Sequence, residues 1–169
     1  MDTPTAASAD NASAEDGTPW LTPREQRLWR AHLEVSKLLE YQLGRELQPH
    51  GLAMNDYEIL VVLSEDPKRR LRMTDLATAT LQSKSRLSHQ ITRMEKAGLV
   101  VREGCPGDRR GLYAVLTDHG WDTLRSVAPE HVRSVRRHFI DRFDESQVEA
   151  LYEALAPIAE HLRTLRGRG

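Results

Sequence analysis

Apolar residues recur at helical spacing through most of this chain and switch to alternation in one short stretch. Leu28, Val35, Leu38, Leu39, Leu43 and Leu47 keep one stripe up to Pro49, which predicts a long first helix. Thr22-Pro23-Arg24-Glu25 supplies its start, with an N-cap threonine, proline at the first helical position and glutamate at the third. Ile59, Leu60, Val62 and Leu63 mark a second helix, read from Asn55 with Glu58 at capping-box spacing and stopped at Asp66-Pro67. Two short helices follow with almost no linker, Met73–Thr80 and Ser83–Gly98. The period then changes. Leu99-Val100-Val101-Arg102 reads as a strand, Pro106-Gly107-Asp108-Arg109-Arg110-Gly111 as a tight turn and Leu112–Leu116 as the returning strand. Helical spacing resumes beyond Gly120 in Leu124, Val127, Val132, Val135, Phe139 and Phe143. A last helix from near Asp144 carries Val148, Leu151, Leu155, Ile158, Leu162 and Leu165 at spacings of three and four, the seam of a coiled coil. Pro157 interrupts it; an interior proline costs roughly 3 kcal/mol, so a bend is expected.

Helix, helix, strand, basic turn, strand is the order of a winged helix-turn-helix, in which one helix enters a DNA groove and the hairpin reaches the groove beside it. Charge agrees, once its position is considered. The 169 residues are 29% charged with a net charge of −1, so the chain as a whole is no cationic coat. Between Lys84 and Arg110, however, stand Lys84, Arg86, Arg93, Lys96, Arg102, Arg109 and Arg110 against Glu95, Glu103 and Asp108. Segregation of this kind steers phosphate to one face.

Within Ser83–Gly98 the residues Leu87, Ile91 and Met94 share a face, which must pack inward. Ser85, His89, Thr92 and Lys96 lie opposite, flanked by Arg86 and Arg93. Hydroxyl, imidazole and guanidinium groups suit base edges and phosphates. Ser83 as N-cap turns the free N–H groups of the helix start toward a phosphate. The candidate DNA-binding residues are Ser83, Lys84, Ser85, Arg86, Ser88, His89, Thr92, Arg93, Arg109 and Arg110. A slim loop carrying Arg109 and Arg110 fits a narrow minor groove. Asp108 is the wing-orienting residue, expected to hold the Arg110 fork before DNA arrives.

The runs Met73-Thr74-Asp75-Leu76-Ala77, Ser83-Lys84-Ser85, Met94-Glu95-Lys96-Ala97-Gly98-Leu99-Val100, Asp108-Arg109-Arg110-Gly111 and Leu116-Thr117-Asp118-His119-Gly120 resemble those of the MarR family of transcription regulators. The resemblance covers about Leu28 to Leu165. It implies a mainly α fold: a winged helix-turn-helix with a small β-hairpin wing and long N- and C-terminal dimerisation helices. The expected division is a disordered tail over 1–20, a dimerisation helix over 22–50, the DNA-binding domain over 54–116 and dimerisation helices over 117–166. The implied partners are double-stranded DNA, a second copy as homodimer and a small-molecule effector that relieves repression, with Arg110 in the minor groove. Trp29, His32 and Tyr57 are the candidate effector pocket, with core packing as their alternative. His89 departs from the family, many of whose members carry a basic residue there. The cysteine that the peroxide-sensing branch carries near the start of the first long helix has no counterpart here.

Other chemistry has little support. Cys105 is the single cysteine, which excludes an intramolecular disulfide and a cysteine zinc site. Read as exposed beside Arg102 and Arg109, it offers a second possibility, a thiol redox switch in the wing. A third is a helical interaction module that does not touch DNA. The seven histidines are scattered, so no metal is expected, and His131 and His138, seven apart, are read as a solvated or interface face. No nucleophile elbow or phosphate-binding glycine loop appears, so neither catalysis nor a cofactor is expected. Residues 1–19 lack Lys, Arg and any apolar block, unlike a secretory signal, and no run reaches membrane-span length, so the expected location is cytoplasmic with no membrane partner.

Overall fold

The computed structural model describes residues 19–105 and 107–166, with the side chains of Arg109 and Arg110 outside that description. Most of the predicted tail, residues 1–18, also lies outside it. Two compact units are distinguished, one up to Tyr41 and one from Gln42 onward.

Helix α1 (Pro23–Leu47) begins in the first unit. Its start is a capping box: Glu25 Oε2 accepts from Thr22 N at 2.7 Å, and Thr22 Oγ1 accepts from Glu25 N at 3.3 Å. Apolar positions along it, among them Leu28, Val35 and Leu38, are exposed.

The second unit holds the described core. Helix α2 (Met54–Glu65) starts one residue before the expected Asn55, because Asp56 rather than Glu58 supplies the cap, accepting from Ala53 N at 3.0 Å. A strand that the hydrophobic pattern did not reveal, β1 (Arg70–Arg72), precedes helix α3 (Met73–Ala79). Helix α4 (Lys84–Lys96) follows, and it ends in a Schellman turn: Gly98 takes φ +71° and Leu99 N donates to Met94 O at 3.0 Å. Strands β2 (Val100–Cys105) and β3 (Asp108–Leu116) pair antiparallel, β3 starting four residues earlier than expected. The described sheet therefore has three strands in the order β1-β3-β2 rather than a lone hairpin.

Helix α5 (Asp118–His138) is capped by Thr117, whose hydroxyl accepts from Gly120 N at 2.9 Å. A Cβ at position 120 would lie 2.1 Å from Leu99 O, so only glycine lets this helix start so close to the sheet. The single long element expected through Phe143 instead ends at His138 and passes into a 3-10 turn, Ile140–Arg142. Helix α6 (Glu145–Arg166) continues through Pro157 without a break in its helical assignment and buries none of its residues. The core draws on α2 (Ile59, Leu60, Leu63), α3 (Leu76), α4 (Leu87, Ile91, Met94), the sheet (Val100, Ala114, Leu116) and α5 (Leu124, Val127). Among the described residues no helix is long and apolar enough to cross a membrane.

Candidate nucleic-acid interface

The two faces of α4 separate as its sequence demands. Leu87, Ile91 and Met94 are buried, together with Gln90, while Ser83, Lys84, Ser85, Arg86, Ser88, His89, Thr92 and Arg93 are all exposed. Ser83 caps the helix, its Oγ accepting from Arg86 N at 3.3 Å. The helix therefore presents a hydroxyl-rich N-terminal turn with Lys84 and Arg86 beside it, and no acidic residue in that turn.

Three arginines hold the reading helix and the wing in place, and sequence reasoning missed these roles. Arg93 and Gln90 both reach the buried Asp56 carboxylate, at 2.6 and 3.0 Å, which locks α4 against the start of α2. Arg102 on β2, one of the basic residues between Lys84 and Arg110, has a side chain only 20% exposed that bonds Glu95, Ser88 O at 2.7 Å and Thr92 Oγ1 at 3.1 Å. Arg72 on β1 donates to Asp108 Oδ2 at 3.0 Å.

That last contact gives Asp108 a partner on β1. Its other oxygen accepts from Gly111 N at 3.0 Å, so the carboxylate closes the base of the wing onto β1 as well as across the turn. Whether it also orders Arg110 concerns a side chain outside the described residues. Arg70 and Arg72 both stack toward Tyr113, at 4.8 and 5.8 Å, and each is paired with a carboxylate, Glu103 at 4.0 Å and Asp108 at 3.0 Å. Between α4 and the wing lies a groove of about 300 Å³ bordered by Arg72, Thr74, Lys84, Ser88, Arg102 and Asp108.

Cys105 corrects a further expectation. It is buried, not exposed, at the irregular step where β2 pairs Cys105 with Asp108. The remaining candidates belong to different units. Trp29 stacks on His32 with ring centres 5.7 Å apart in the first unit, and both are exposed. Tyr57, buried in the second, packs against His131 at 4.2 Å. Burial lowers the pKa of His131, and the same cause raises that of Tyr57.

A polar network unforeseen in the sequence joins the end of α1 to α5. Glu46 accepts from Ser134, from Gln42 at 2.8 Å, and lies 2.8 Å from His138 Nε2. These bonds, that of Ser134 foremost, hold the Glu46 carboxyl down to about 2. The residue types gave no signal, because serine and glutamate 88 positions apart pair only once the helices pack. Among the described residues no group of three or more His, Cys, Asp or Glu is placed to hold a metal ion.

A buried-backed helix with a polar outer face, set beside a basic β-hairpin, defines a winged-helix DNA reader. The comparisons with known proteins agree. The sequence profile of the MarR family matches residues 50–111. The crystal structure of AbsC, a MarR family transcriptional regulator from Streptomyces coelicolor, is 66% identical, with 87% of this chain and 99% of that chain covered and a TM-score of 0.84. Sco3205, a MarR family regulator from the same organism solved in complex with DNA, is 47% identical over 85% of this chain and 90% of that one, with a TM-score of 0.82. The HTH-type transcriptional regulator PecS of Dickeya dadantii is 28% identical over 133 residues, 76% of this chain and 77% of its own. This chain belongs to the MarR family of transcription regulators.

Proposed function

We propose that the chain is a homodimeric repressor that binds an inverted-repeat operator, with α4 in the major groove and the wing in the minor groove. The observation that carries this reading is α4 itself. Its apolar side is fully consumed by the core, yet its outer side and N-cap keep eight exposed hydroxyl, imidazole and cationic residues, of which Lys84, Arg86 and His89 make no side-chain bond to the rest of the fold among the described residues. In the proposed complex Ser83, Lys84, Ser85 and Arg86 meet the backbone and the first bases, while Ser88, His89, Thr92 and Arg93 line the deeper part of the groove. Arg109 and Arg110 enter the minor groove from a wing held by Asp108. Residues 22–50 and 117–166 act as the dimerisation helices, a role supported by the exposed apolar positions of α1 and α6. Two such reading helices sit about 34 Å apart, which sets the spacing of the half-sites.

The reading places the protein in the cytoplasm, without catalytic activity. A small molecule that favours a dimer with wrongly spaced reading helices would relieve repression. Trp29, His32 and Tyr57 are the residues proposed to meet it, on the strength of the family resemblance. The test is fluorescence anisotropy with the duplex upstream of this protein's own gene against a scrambled duplex at one fixed salt. Selective binding is expected, and Arg110→Ala should weaken it strongly while leaving the dimer intact. Failure to bind either duplex, with reversal of Arg109 and Arg110 changing nothing, would favour an interaction module instead.

A further inference from the structure

We infer that Arg102 is a positioning residue for base reading: it clamps α4 to β2, fixes Ser88 as a hydrogen-bond donor toward the duplex and meets a Thr92 hydroxyl that has no proton left to donate. The inference rests on the DNA-reading function proposed above.

The hydrogen bonds leave little freedom. Glu95 holds Arg102 from two sides, accepting from its guanidinium Nη1 and from its backbone N, the latter at 2.8 Å. Nη2 is thereby aimed at the outer face of α4, where it meets Ser88 O at 2.7 Å, Thr92 Oγ1 at 3.1 Å and Ser88 Oγ at 3.3 Å. A hydroxyl has one proton and two lone pairs. Thr92 spends its proton on Ser88 O, at 3.0 Å, and offers a lone pair to Arg102. What it can still present to DNA is its methyl group and one lone pair, so it cannot donate. Ser88 is the opposite case. Its oxygen faces an arginine that can only donate, so its own proton is directed away from Arg102, and Ser88 is exposed along the groove between α4 and the wing.

A donor in that position selects an acceptor on the duplex, either a phosphate oxygen or a base-edge atom such as purine N7 or guanine O6. Arg102 itself is neutralised by Glu95, so it should release no counterion when DNA binds. This separates its role from that of a phosphate contact, which contributes to the salt slope. It also separates it from a purely structural one, which would change stability and leave sequence preference intact.

The experiment uses an operator duplex selected by the full-length protein from a random library. Anisotropy titrations across a salt series then compare it with a scrambled duplex. Arg102→Gln should lower the operator-to-scrambled affinity ratio about tenfold with the salt slope unchanged, and Arg102→Lys should not restore the ratio, because an ammonium cannot reproduce a planar fork. Ser88→Ala should weaken operator binding by about 3- to 10-fold, the loss of one neutral hydrogen bond, and the loss should vanish in the Arg102→Gln background. If that loss is the same on every single-base operator variant, the acceptor is a phosphate; if one base pair abolishes it, the acceptor is that base.

An unchanged ratio in folded Arg102→Gln overturns the inference. So does an equal weakening on both duplexes with a salt slope reduced by about one, which is the signature of a phosphate contact. Should Arg102→Gln fail to fold, Ser88→Ala decides: operator affinity weakened about 3- to 10-fold, the typical worth of one hydrogen bond, supports the assignment, and affinity equal to wild type overturns it. If the wild-type protein selects no duplex at all, the DNA-reading function falls first, and this inference with it.

Discussion

Helices α4 and α6 carry apolar residues at the same helical spacing and bury them to opposite degrees. Leu87 and Ile91 on α4 are 0% exposed, whereas Ile158 and Leu162 on α6 are 54% and 57% exposed. Spacing therefore states which side of a helix is apolar, and only the surroundings state what covers it. For α4 the cover is α2, α3 and the sheet of the same chain. For α6 the described residues supply little, and Val148, Leu155, Ile158, Leu162 and Leu165 stand largely in water. A face of that size on a natural protein marks an interaction site, so the stability of α4 should belong to the monomer and that of α6 to the assembly.

The largest effect expected from this contrast comes from charging the seam. Leu155→Glu combined with Ile158→Glu should convert the dimer to monomer in sedimentation equilibrium with the far-UV helical signal largely kept. Operator affinity should fall by about 100-fold or more, because two half-sites are then no longer bound as one unit. A variant that stays dimeric would move the interface elsewhere. Next in size is the alanine pair that separates the two helices directly. Ile91→Ala should cost about 2–5 kcal/mol at every protein concentration, the range for truncating a fully buried aliphatic residue. Ile158→Ala should lower the melting temperature mainly in dilute solution, where mass action no longer holds the subunits together. Equal concentration dependence for both would erase the distinction.

The same contrast explains how much of the molecule was legible in its sequence. Elements with their own periodicity and caps were readable: α1 from Thr22-Pro23, α4 with Ser83 as cap, and the hairpin from its change of period. Strand β1 was not, because Arg70-Leu71-Arg72 offers one apolar residue between two charges and becomes a strand only by pairing with β3. The outer face of α4 was legible as a list of residues but not as a set of roles. Arg102 is indistinguishable from Arg86 in the sequence, and what separates them is that Glu95, Ser88 and Thr92 surround one and not the other. Asp56 with Gln90 and Arg93, or Arg72 with Asp108, are likewise partners 34 to 37 positions apart. Local pattern carries no trace of such pairs, since they are products of packing.

A smaller effect should appear on acidification, and it concerns the α1–α5 junction rather than the reading face. Burial lowers the pKa of His131, so its protonation disfavours the folded state as pH falls below the ordinary histidine value of 6.5. Glu46 behaves as a stabilised carboxylate. Its pKa is reduced from 4.5 to about 2, so the stability it contributes is present above pH 4.5 and lost as pH falls toward 2. Thermal melts between pH 7 and pH 3 should therefore show a first decline from His131 and a steeper one from Glu46. His131→Phe should remove the first and Glu46→Gln the second. A Glu46→Gln protein with the wild-type acid profile would show that its bonds to Ser134 and Gln42 contribute nothing.

The smallest effect is expected at Cys105, where burial decides between two readings of one thiol. An exposed cysteine between Arg102 and Arg109 would react quickly with an aromatic disulfide reagent and would make the wing sensitive to oxidants. The thiol sits instead beneath the β2–β3 step, where a Cβ at Gly111 would come within 2.9 Å of the Cys105 Cβ. Reaction must therefore wait for the wing to open, and native protein should react about 100-fold more slowly than protein in denaturant, with operator DNA slowing it further. Cys105→Ser should cost about 1 kcal/mol for placing a hydroxyl in a packed site and leave operator affinity within about twofold. Rapid labelling of the native protein, together with oxidant-sensitive binding that Cys105→Ser abolishes, would instead restore the redox reading. It would then mean that the wing opens far more often than its Arg72–Asp108 clasp implies.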